Sequence, residues 1–244
     1  MADIRTLTRE SLAGMLEHTI IGHPEYPDEV YLKGARVALE YGFAAYYVPN
    51  TRVRLINQEY GEQMKKHHIE LGCGNAGGGV IMSGHTPETK MREIEYNLKN
   101  GATACDQVMA IYALKNKDYK LLEKELRMGA ELAHSGGAKF KVLLETGYLT
   151  DDEIVLGTML VANAGADYVK TSMGVGPVGK TNMFQVALIM DTLQSMNTTC
   201  KLKATNGMLE NVFYYIQAGA ARCGSNNAIL AIEALPLVKK MMFG

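Results

Sequence analysis

Helical and strand-like hydrophobic patterns alternate along this chain of 244 residues. In the helical stretches apolar residues recur every three to four positions, and between them lie short runs typical of buried strands. The strand predictions fall at 17–21, 44–48, 69–73, 103–109, 139–145, 167–171, 200–204 and 221–225. The helix predictions fall at 28–41, 51–66, 88–100, 118–135, 151–164, 180–196, 209–218 and 227–241, and a short helix near 8–15 precedes the first strand.

A recurring junction marks the passage from helix to strand. At five places a helical pattern ends in a glycine that a small or apolar residue follows, and these glycines are Gly42, Gly101, Gly137, Gly165 and Gly219. Glycine just past a helix end supplies the left-handed residue that closes the helix. Repeated helix-to-strand units with eight strands predict a (β/α)8 TIM barrel, as a single domain over 1–244 with a short N-terminal helix.

The main structural alternative is a doubly wound sheet that binds a dinucleotide. The stretch Gly72–Gly77 matches G-x-G-x-x-G and follows a predicted strand. In a dinucleotide site, however, this loop opens directly into a helix. Here further glycines follow, and the next helix begins only near Pro87. A loop over the mouth of a barrel therefore fits this stretch better.

Composition narrows the choice of partners. With 25 basic and 26 acidic residues the net charge is −1, which gives no indication of a nucleic acid or an anionic membrane. No apolar run approaches the roughly 20 residues of a membrane span, and the first residues lack the apolar core of a secretion signal. The cysteines show no metal-ligand spacing. We expect a cytoplasmic protein without metal or other cofactor.

Charged residues near the ends of predicted buried strands indicate the chemistry. Asp106, Lys170 and Lys203 lie on the fourth, sixth and seventh strands. In a TIM barrel alternate side chains face inward, and the C-terminal strand ends surround the active site. A poorly solvated lysine beside another cation has a lowered pKa, which makes its amine a nucleophile. We predict that these three side chains meet and perform Schiff-base chemistry on a carbonyl.

Other charged positions have more ordinary interpretations. A lone lysine at a strand end is more often a surface residue whose ammonium reaches water, so the prediction depends on the combination of three residues. Lys141 and Glu145 share one face of the fifth predicted strand, and we expect them to form a paired inner charge network. We expect His18 to be a hydrogen-bonded core histidine.

Five motifs, in order along the chain, resemble the deoxyribose-phosphate aldolase family. They lie at 16–20, 100–106, 113–119, 141–147 and 164–174. The stretch 141–147 closely matches the family's KVILETG, and the stretch 164–174 matches AGADFVKTSTG almost residue for residue. The resemblance covers nearly the whole chain and implies a class I aldolase on a (β/α)8 barrel.

By this resemblance Lys170 is the Schiff-base lysine, Lys203 lowers its pKa, and Asp106 belongs to the proton relay. The family cleaves 2-deoxyribose 5-phosphate reversibly to acetaldehyde and glyceraldehyde 3-phosphate and needs no metal. Its members are commonly dimers or higher oligomers, so we expect a homo-oligomer with a small aldehyde or sugar (phosphate) as substrate. The resemblance also suggests substrate contacts at Thr19, Thr171, Ser172, Gly174, Asn206, Gly207, Gly224, Ser225 and Asn226.

The departures from the family cluster where the substrate phosphate binds. Asn206 replaces a glycine, and Leu209 replaces an arginine. The family's Gly-x-Ser-Ser becomes Gly224-Ser225-Asn226-Asn227. Glycine lets backbone N–H groups approach an anion, and arginine grips a phosphate through two hydrogen bonds. We therefore expect conserved aldolase chemistry with an altered acceptor site.

Two alternatives stay open at the level of the sequence. An ordinary deoxyribose-phosphate aldolase could hold the phosphate through backbone groups alone. A non-catalytic barrel could bind a sugar or a protein, although such a binder has no need of two lysines and an aspartate at its centre. Three further departures bear on the substrate: Glu17 stands for the aspartate of the first motif, Tyr46–Asn50 stands for the family's VCVNP, and the glycine-rich Gly72–Gly77 stands for its GFPxG loop.

Overall fold

Eight parallel strands close into a barrel in the computed structural model, which describes residues 3–21, 23, 25–74, 82–173, 181–205 and 211–244. The strands follow one another around the ring in chain order, and the eighth pairs with the first. They are β1 Leu16–Thr19, β2 Ala45–Tyr47, β3 Glu70–Gly74, β4 Ala104–Val108, β5 Lys139–Leu143, β6 Tyr168–Lys170, β7 Lys201–Ala204 and β8 Arg222–Ser225.

Helices surround this barrel and connect its strands. They are α1 Arg9–Ala13, α2 Asp28–Tyr41, α3 Asn50–Lys66, α4 Pro87–Lys99, α5 Ile111–Lys115, α6 Tyr119–Ser135, α7 Asp151–Asn163, α8 Met183–Ser195, α9 Asn211–Gln217 and α10 Ala228–Phe243. The TIM-barrel prediction is confirmed. The doubly wound alternative is wrong, because the pairing of β8 with β1 leaves the sheet without edges.

Within the described ranges, the sequence missed three short elements, namely α5, a 3-10 turn over 82–84 and a 3-10 turn at Thr146–Tyr148. Each is five residues or shorter, which is too short for a hydrophobic period to show. The predicted helix 180–196 begins at Met183, because Asn182 caps it by accepting a hydrogen bond from the Gln185 backbone N–H at 2.9 Å. Of the loop predicted at Gly72–Gly77, residues 72–74 belong instead to β3, and residues 75–77 lie outside the described residues.

The five junction glycines all adopt positive φ, from 67° at Gly42 to 108° at Gly219. At Gly42 the backbone N–H donates to the Ala38 carbonyl and closes α2. A residue with a Cβ would be strained at these φ values. The repeated glycines therefore mark the places where a helix ends and the chain turns into the next strand.

The apolar core lies between the strands and the helices. Tyr46 illustrates it: its ring faces outward from β2, and its hydroxyl donates to the Tyr31 carbonyl on α2 at 2.8 Å. His18 packs beside it, with ring centroids 5.6 Å from Tyr46 and 5.7 Å from Phe43. Burial lowers the pKa of His18 to about 4. The core position is confirmed, but the expected hydrogen bond is absent at Nδ1 within the described part of the chain.

Across the described ranges, no helix is both long and apolar enough to cross a bilayer. The cytoplasmic location and the division of 1–244 as one domain stay predictions.

Candidate active site

The barrel interior holds charged side chains where the outer layer holds apolar ones. Strand register explains this, because Lys170 pairs with Lys203 across β6 and β7, and alternate residues face the axis. Asp106 on β4 shares that inward side. All three are nearly withdrawn from solvent, with exposures of 4% for Lys170, 2% for Lys203 and 1% for Asp106.

The three predicted central residues meet at one oxygen atom. Lys170 Nζ donates to Asp106 Oδ2 at 2.8 Å, and Lys203 Nζ donates to the same oxygen at 3.0 Å. Two ammonium groups thus crowd around a single carboxylate oxygen in a poorly solvated place. The structure brings these residues together as the sequence predicted, and their catalytic roles stay predictions.

Sequence reasoning missed Tyr47, which completes the surroundings of Asp106. Its hydroxyl donates to Asp106 Oδ1 at 2.7 Å, and the centre of its ring lies 3.8 Å from Lys203 Nζ. Gly72 makes room for this ring, because a Cβ there would lie 2.3 Å from it. The alternation of β2, which turns Tyr46 outward and Tyr47 inward, is the signal that could have revealed it.

A second ionic cluster lies deeper in the barrel around Lys141. Its Nζ donates to Glu17 Oε1 at 2.7 Å and to Glu70 Oε2 at 2.6 Å. Glu17 also forms an ion pair with Lys203, which joins the two clusters. Lys141, Lys170 and Lys203 are thereby matched by three carboxylates, those of Glu17, Glu70 and Asp106.

The expected pairing of Lys141 with Glu145 is wrong. Strand β5 ends at Leu143, and Glu145 adopts a left-handed conformation with φ of 55°. The inward parity of the strand therefore does not extend to Glu145. Its carboxylate instead accepts hydrogen bonds from Ser172 Oγ at 2.7 Å and from the Met173 backbone N–H at 2.9 Å.

The pKa values follow from burial and these charges. Burial lowers the pKa of Lys203 to about 8, with a contribution from Lys170, although Asp106 and Glu17 oppose the change. Burial alone would raise the pKa of Asp106, but Lys170 and Lys203 outweigh it and hold that pKa below its usual value. The pKa of Lys141 is raised, because Glu17 and Glu70 outweigh the effect of burial.

Some of the substrate contacts suggested after β6 already form hydrogen bonds with other groups of the protein. Thr171 Oγ1 donates to the Thr205 carbonyl at 3.2 Å and accepts from the Thr205 backbone N–H at 3.1 Å. Thr205 Oγ1 donates in turn to the Ser172 carbonyl. Thr171 is fully buried. These hydroxyl groups hold together the segments that follow β6 and β7.

The remaining suggested contacts lie around the ends of β1 and β8. Thr19 is half-buried, and its hydroxyl donates to the Glu17 carbonyl at 3.3 Å. Gly224 is packed so closely that a Cβ there would lie 2.5 Å from Thr205 Cγ2. Ser225 Oγ accepts from the Asn227 backbone N–H at 2.9 Å, whereas Asn226 is exposed. The other suggested contacts lie outside the described residues, namely Gly174, Asn206 and Gly207.

Comparison with known proteins identifies close sequence relatives, although no protein-family model matches. The deoxyribose-phosphate aldolase of Thermococcus kodakarensis is 32% identical over 233 residues, which cover 94% of this chain and 99% of that protein. The deoxyribose-phosphate aldolase of Aciduliprofundum boonei is 34% identical over 203 residues, which cover 82% of this chain and 86% of that protein.

Solved structures support the same fold. The tetrameric deoxyribose phosphate aldolase of Aeropyrum pernix superposes with a TM-score of 0.81, at 24% identity, over 95% of this chain and 93% of that one. The structural match establishes the barrel, and the sequence matches establish the lineage. This protein belongs to the deoxyribose-phosphate aldolase family and is a lyase of the aldolase type.

Proposed function

We propose that this protein is a class I aldolase in which Lys170 forms a Schiff base with its substrate. The proposed substrate is a 2-deoxyribose 5-phosphate-like sugar, which is cleaved reversibly to acetaldehyde and glyceraldehyde 3-phosphate or a related aldehyde. The observation that carries this proposal is the sharing of Asp106 Oδ2 by Lys170 and Lys203 inside the barrel. The names of the sequence relatives support the substrate class.

The first half of the reaction forms the iminium. A neutral Lys170 amine adds to the aldehyde carbon, and the resulting carbinolamine loses water as its hydroxyl is protonated. Asp106 and Lys203 are the groups placed to relay that proton. The iminium keeps a positive charge where the ammonium stood, so Asp106 still faces a cation after the bond has formed.

The second half breaks a carbon–carbon bond. As the C3 hydroxyl of the sugar loses its proton, the electron pair of the C2–C3 bond moves toward the iminium nitrogen. This step releases the three-carbon aldehyde and leaves an enamine on Lys170. Protonation of the enamine carbon and hydrolysis of the new iminium release acetaldehyde and restore the amine. The reverse sequence gives an aldol addition.

A second candidate substrate is an unphosphorylated or differently charged sugar. The end of β8 favours it, because Ser225 is followed by two neutral and exposed residues, Asn226 and Asn227. Asparagine donates and accepts hydrogen bonds without charge, which suits hydroxyl groups. Ser225 Oγ is already engaged by the Asn227 backbone N–H.

Borohydride reduction in the presence of acetaldehyde tests the Schiff base. We expect peptide mass spectrometry to locate a reduced adduct on Lys170, absent from Lys170→Met and retained in Lys201→Met, which changes an exposed lysine of β7. Failure to trap an adduct at Lys170 would favour a non-catalytic barrel that binds a sugar or a protein.

A pair of substrates decides the question of the phosphate. If the site no longer binds the phosphate through charged side chains, we expect kcat/KM values for 2-deoxyribose 5-phosphate and 2-deoxyribose to lie within about tenfold of each other. Each charged contact to the phosphate that was retained would add about 1.5–3 kcal/mol in favour of the phosphorylated sugar. A preference for the phosphate by several orders of magnitude would refute the altered site and leave the ordinary family substrate.

We also propose that the protein forms a homodimer through α10. The helix exposes an apolar row at Leu230, Leu237 and Met241, with exposures of 49%, 60% and 78%. Glu233 and Lys240 are exposed on either side of Leu237. In an antiparallel pairing of two copies about Leu237, Glu233 of each copy would face Lys240 of the other. The apolar row would then be buried between two pairs of opposite charges.

A further inference from the structure

The two carboxylate oxygens of Asp106 have an unusual division of partners. Both ammonium groups, of Lys170 and Lys203, donate to Oδ2, while Oδ1 accepts from the hydroxyl of Tyr47 at 2.7 Å. Two ammonium groups beside one carboxylate are farthest apart when each donates to a different oxygen. The phenol occupies the oxygen that would allow this separation, and both ammonium groups are confined to the other.

We infer that Tyr47 is a positioning residue for Schiff-base formation, whose hydroxyl holds Asp106 so that one carboxylate oxygen serves both lysines. This inference rests on the proposed function of Lys170. By keeping the two ammonium groups together, Tyr47 favours loss of a proton from one of them, which yields the nucleophilic amine. Tyr47 acts through Asp106 and takes no part in bond making.

The aromatic ring of Tyr47 strengthens this arrangement. Its centre lies 3.8 Å from Lys203 Nζ, a distance at which the ring face favours a cation. Lys203 therefore has Asp106, Glu17 and the ring as partners. Lys170 has the Asp106 carboxylate at 2.8 Å, with Met173 Sδ next at 3.8 Å. Lys203 is therefore held in place by more partners than Lys170, so the position of Lys170 depends mainly on the shared oxygen.

Tyr47 is suited to donate throughout the neutral range. Burial and the nearby carboxylates raise its pKa well above the ordinary value, so the phenol keeps its proton and remains a donor to Asp106. Its ring is also fixed in place, because Gly72 lies against it too closely for any side chain. A rigid donor beside a carboxylate determines which oxygen the lysines receive.

Removal of the hydroxyl tests the inference, and the neighbouring tyrosine provides a matched control. Tyr47→Phe keeps the ring but frees Asp106 Oδ1 for one of the lysines. Tyr46→Phe removes an equally buried hydroxyl that donates to the Tyr31 carbonyl outside the barrel. The measurement is the initial rate of borohydride-trapped acetaldehyde adduct at Lys170 as a function of pH, with circular dichroism as the check on folding.

In Tyr47→Phe we expect the midpoint of this pH profile to rise by about one unit and the rate at pH 7 to fall about tenfold, since a hydrogen bond to a charged group is changed. At high pH the variant should regain most of the wild-type rate. Tyr46→Phe should keep the wild-type midpoint. An unshifted midpoint in Tyr47→Phe, or an equal shift in Tyr46→Phe, would overturn the inference.

A fluorinated tyrosine covers the case in which Tyr47→Phe does not fold. 2,3-Difluorotyrosine at position 47 keeps the ring and the hydroxyl but is a stronger donor, so the midpoint should move down rather than up. The same substitution at position 46 should leave it unchanged. Absence of any Lys170 adduct in the wild-type protein is a distinct outcome, which would overturn the proposed function and this inference with it.

Discussion

Lys203 donates a hydrogen bond to Asp106 at 3.0 Å, yet the pKa of this lysine is lowered to about 8. Withdrawal from water is the largest cause, and the charge of Lys170 adds to it. The ion pair therefore does not fully compensate the burial of the ammonium. Lys203 lies near the point of half-protonation at mildly alkaline pH, where a lysine can both donate and accept a proton.

This lowered pKa predicts a specific pH dependence of stability. Between pH 8 and the ordinary lysine value of 10.5, the unfolded chain binds a proton at Lys203 that the folded protein does not. Stability should therefore rise with pH across this window, whereas below pH 8 the full cost of burying the charge is present. Relative to Lys203→Met, the wild-type free energy of unfolding should increase by up to about 3 kcal/mol.

Urea unfolding at several pH values within this window measures the difference. Lys201→Met is the control, because Lys201 begins the same strand but is exposed. Its difference from the wild type should not change with pH. A flat difference for Lys203→Met as well would show that the folded pKa of Lys203 is ordinary.

The deeper cluster predicts a strong effect on stability from one lysine and a weak effect from its neighbour on the same strand. Lys141 is fully buried between Glu17 and Glu70, whereas the Lys139 side chain is 53% exposed beside Asp167. Removing one partner of a buried ion pair leaves an uncompensated charge, so Lys141→Met should cost about 3–5 kcal/mol. Lys139→Met should cost less than about 1 kcal/mol.

Chemical denaturation of the two variants at neutral pH compares these costs directly. The same substitution on the same strand removes the same side chain in both cases. Similar losses of stability in the two variants would mean that Glu17 and Glu70 do not depend on Lys141 for compensation.

The close contact between Gly72 and Tyr47 predicts that a side chain at position 72 will disturb the barrel interior. A Cβ at this position would lie 2.3 Å from the ring of Tyr47, whereas a Cβ at the exposed Gly84 meets nothing within 4 Å. Gly72→Ala should displace Tyr47, cost about 1–3 kcal/mol of stability and lower kcat about tenfold or more. Gly84→Ala should be close to the wild type in both properties. Steady-state kinetics and thermal unfolding provide the comparison, and normal kcat in Gly72→Ala would contradict the assigned packing.

The apolar row on α10 predicts the assembly state. Wild-type protein should sediment as a dimer at micromolar concentration, and Leu237→Lys should shift it to the monomer, because four like charges would then lie near the contact. Met159→Lys on α7 changes another exposed apolar residue, with an exposure of 39%, and should leave the dimer intact. A wild-type monomer, or a Leu237→Lys dimer, in sedimentation velocity would exclude this surface.

Local patterns in the sequence were sufficient for much of the fold. The alternation of helical and strand-like hydrophobic patterns located each of the eight strands within a few residues. The junction glycines have the positive φ that their position after a helix requires. Motifs around Asp106 and Lys170 were sufficient to suggest the aldolase family. These properties depend on residues close together in the chain, so a single sequence contains them.

Only the closed barrel decided which inward side chains meet. Parity places Lys141 and Tyr47 inside, but it does not reveal that Lys141 pairs with Glu17 and Glu70 or that Tyr47 reaches Asp106, a residue 59 positions away. These partners depend on strand register and on the closure of β8 onto β1, which bring together side chains from opposite sides of the ring. The chain itself determined the kind of barrel and its central lysines, and the ring closure determined how their charges are balanced.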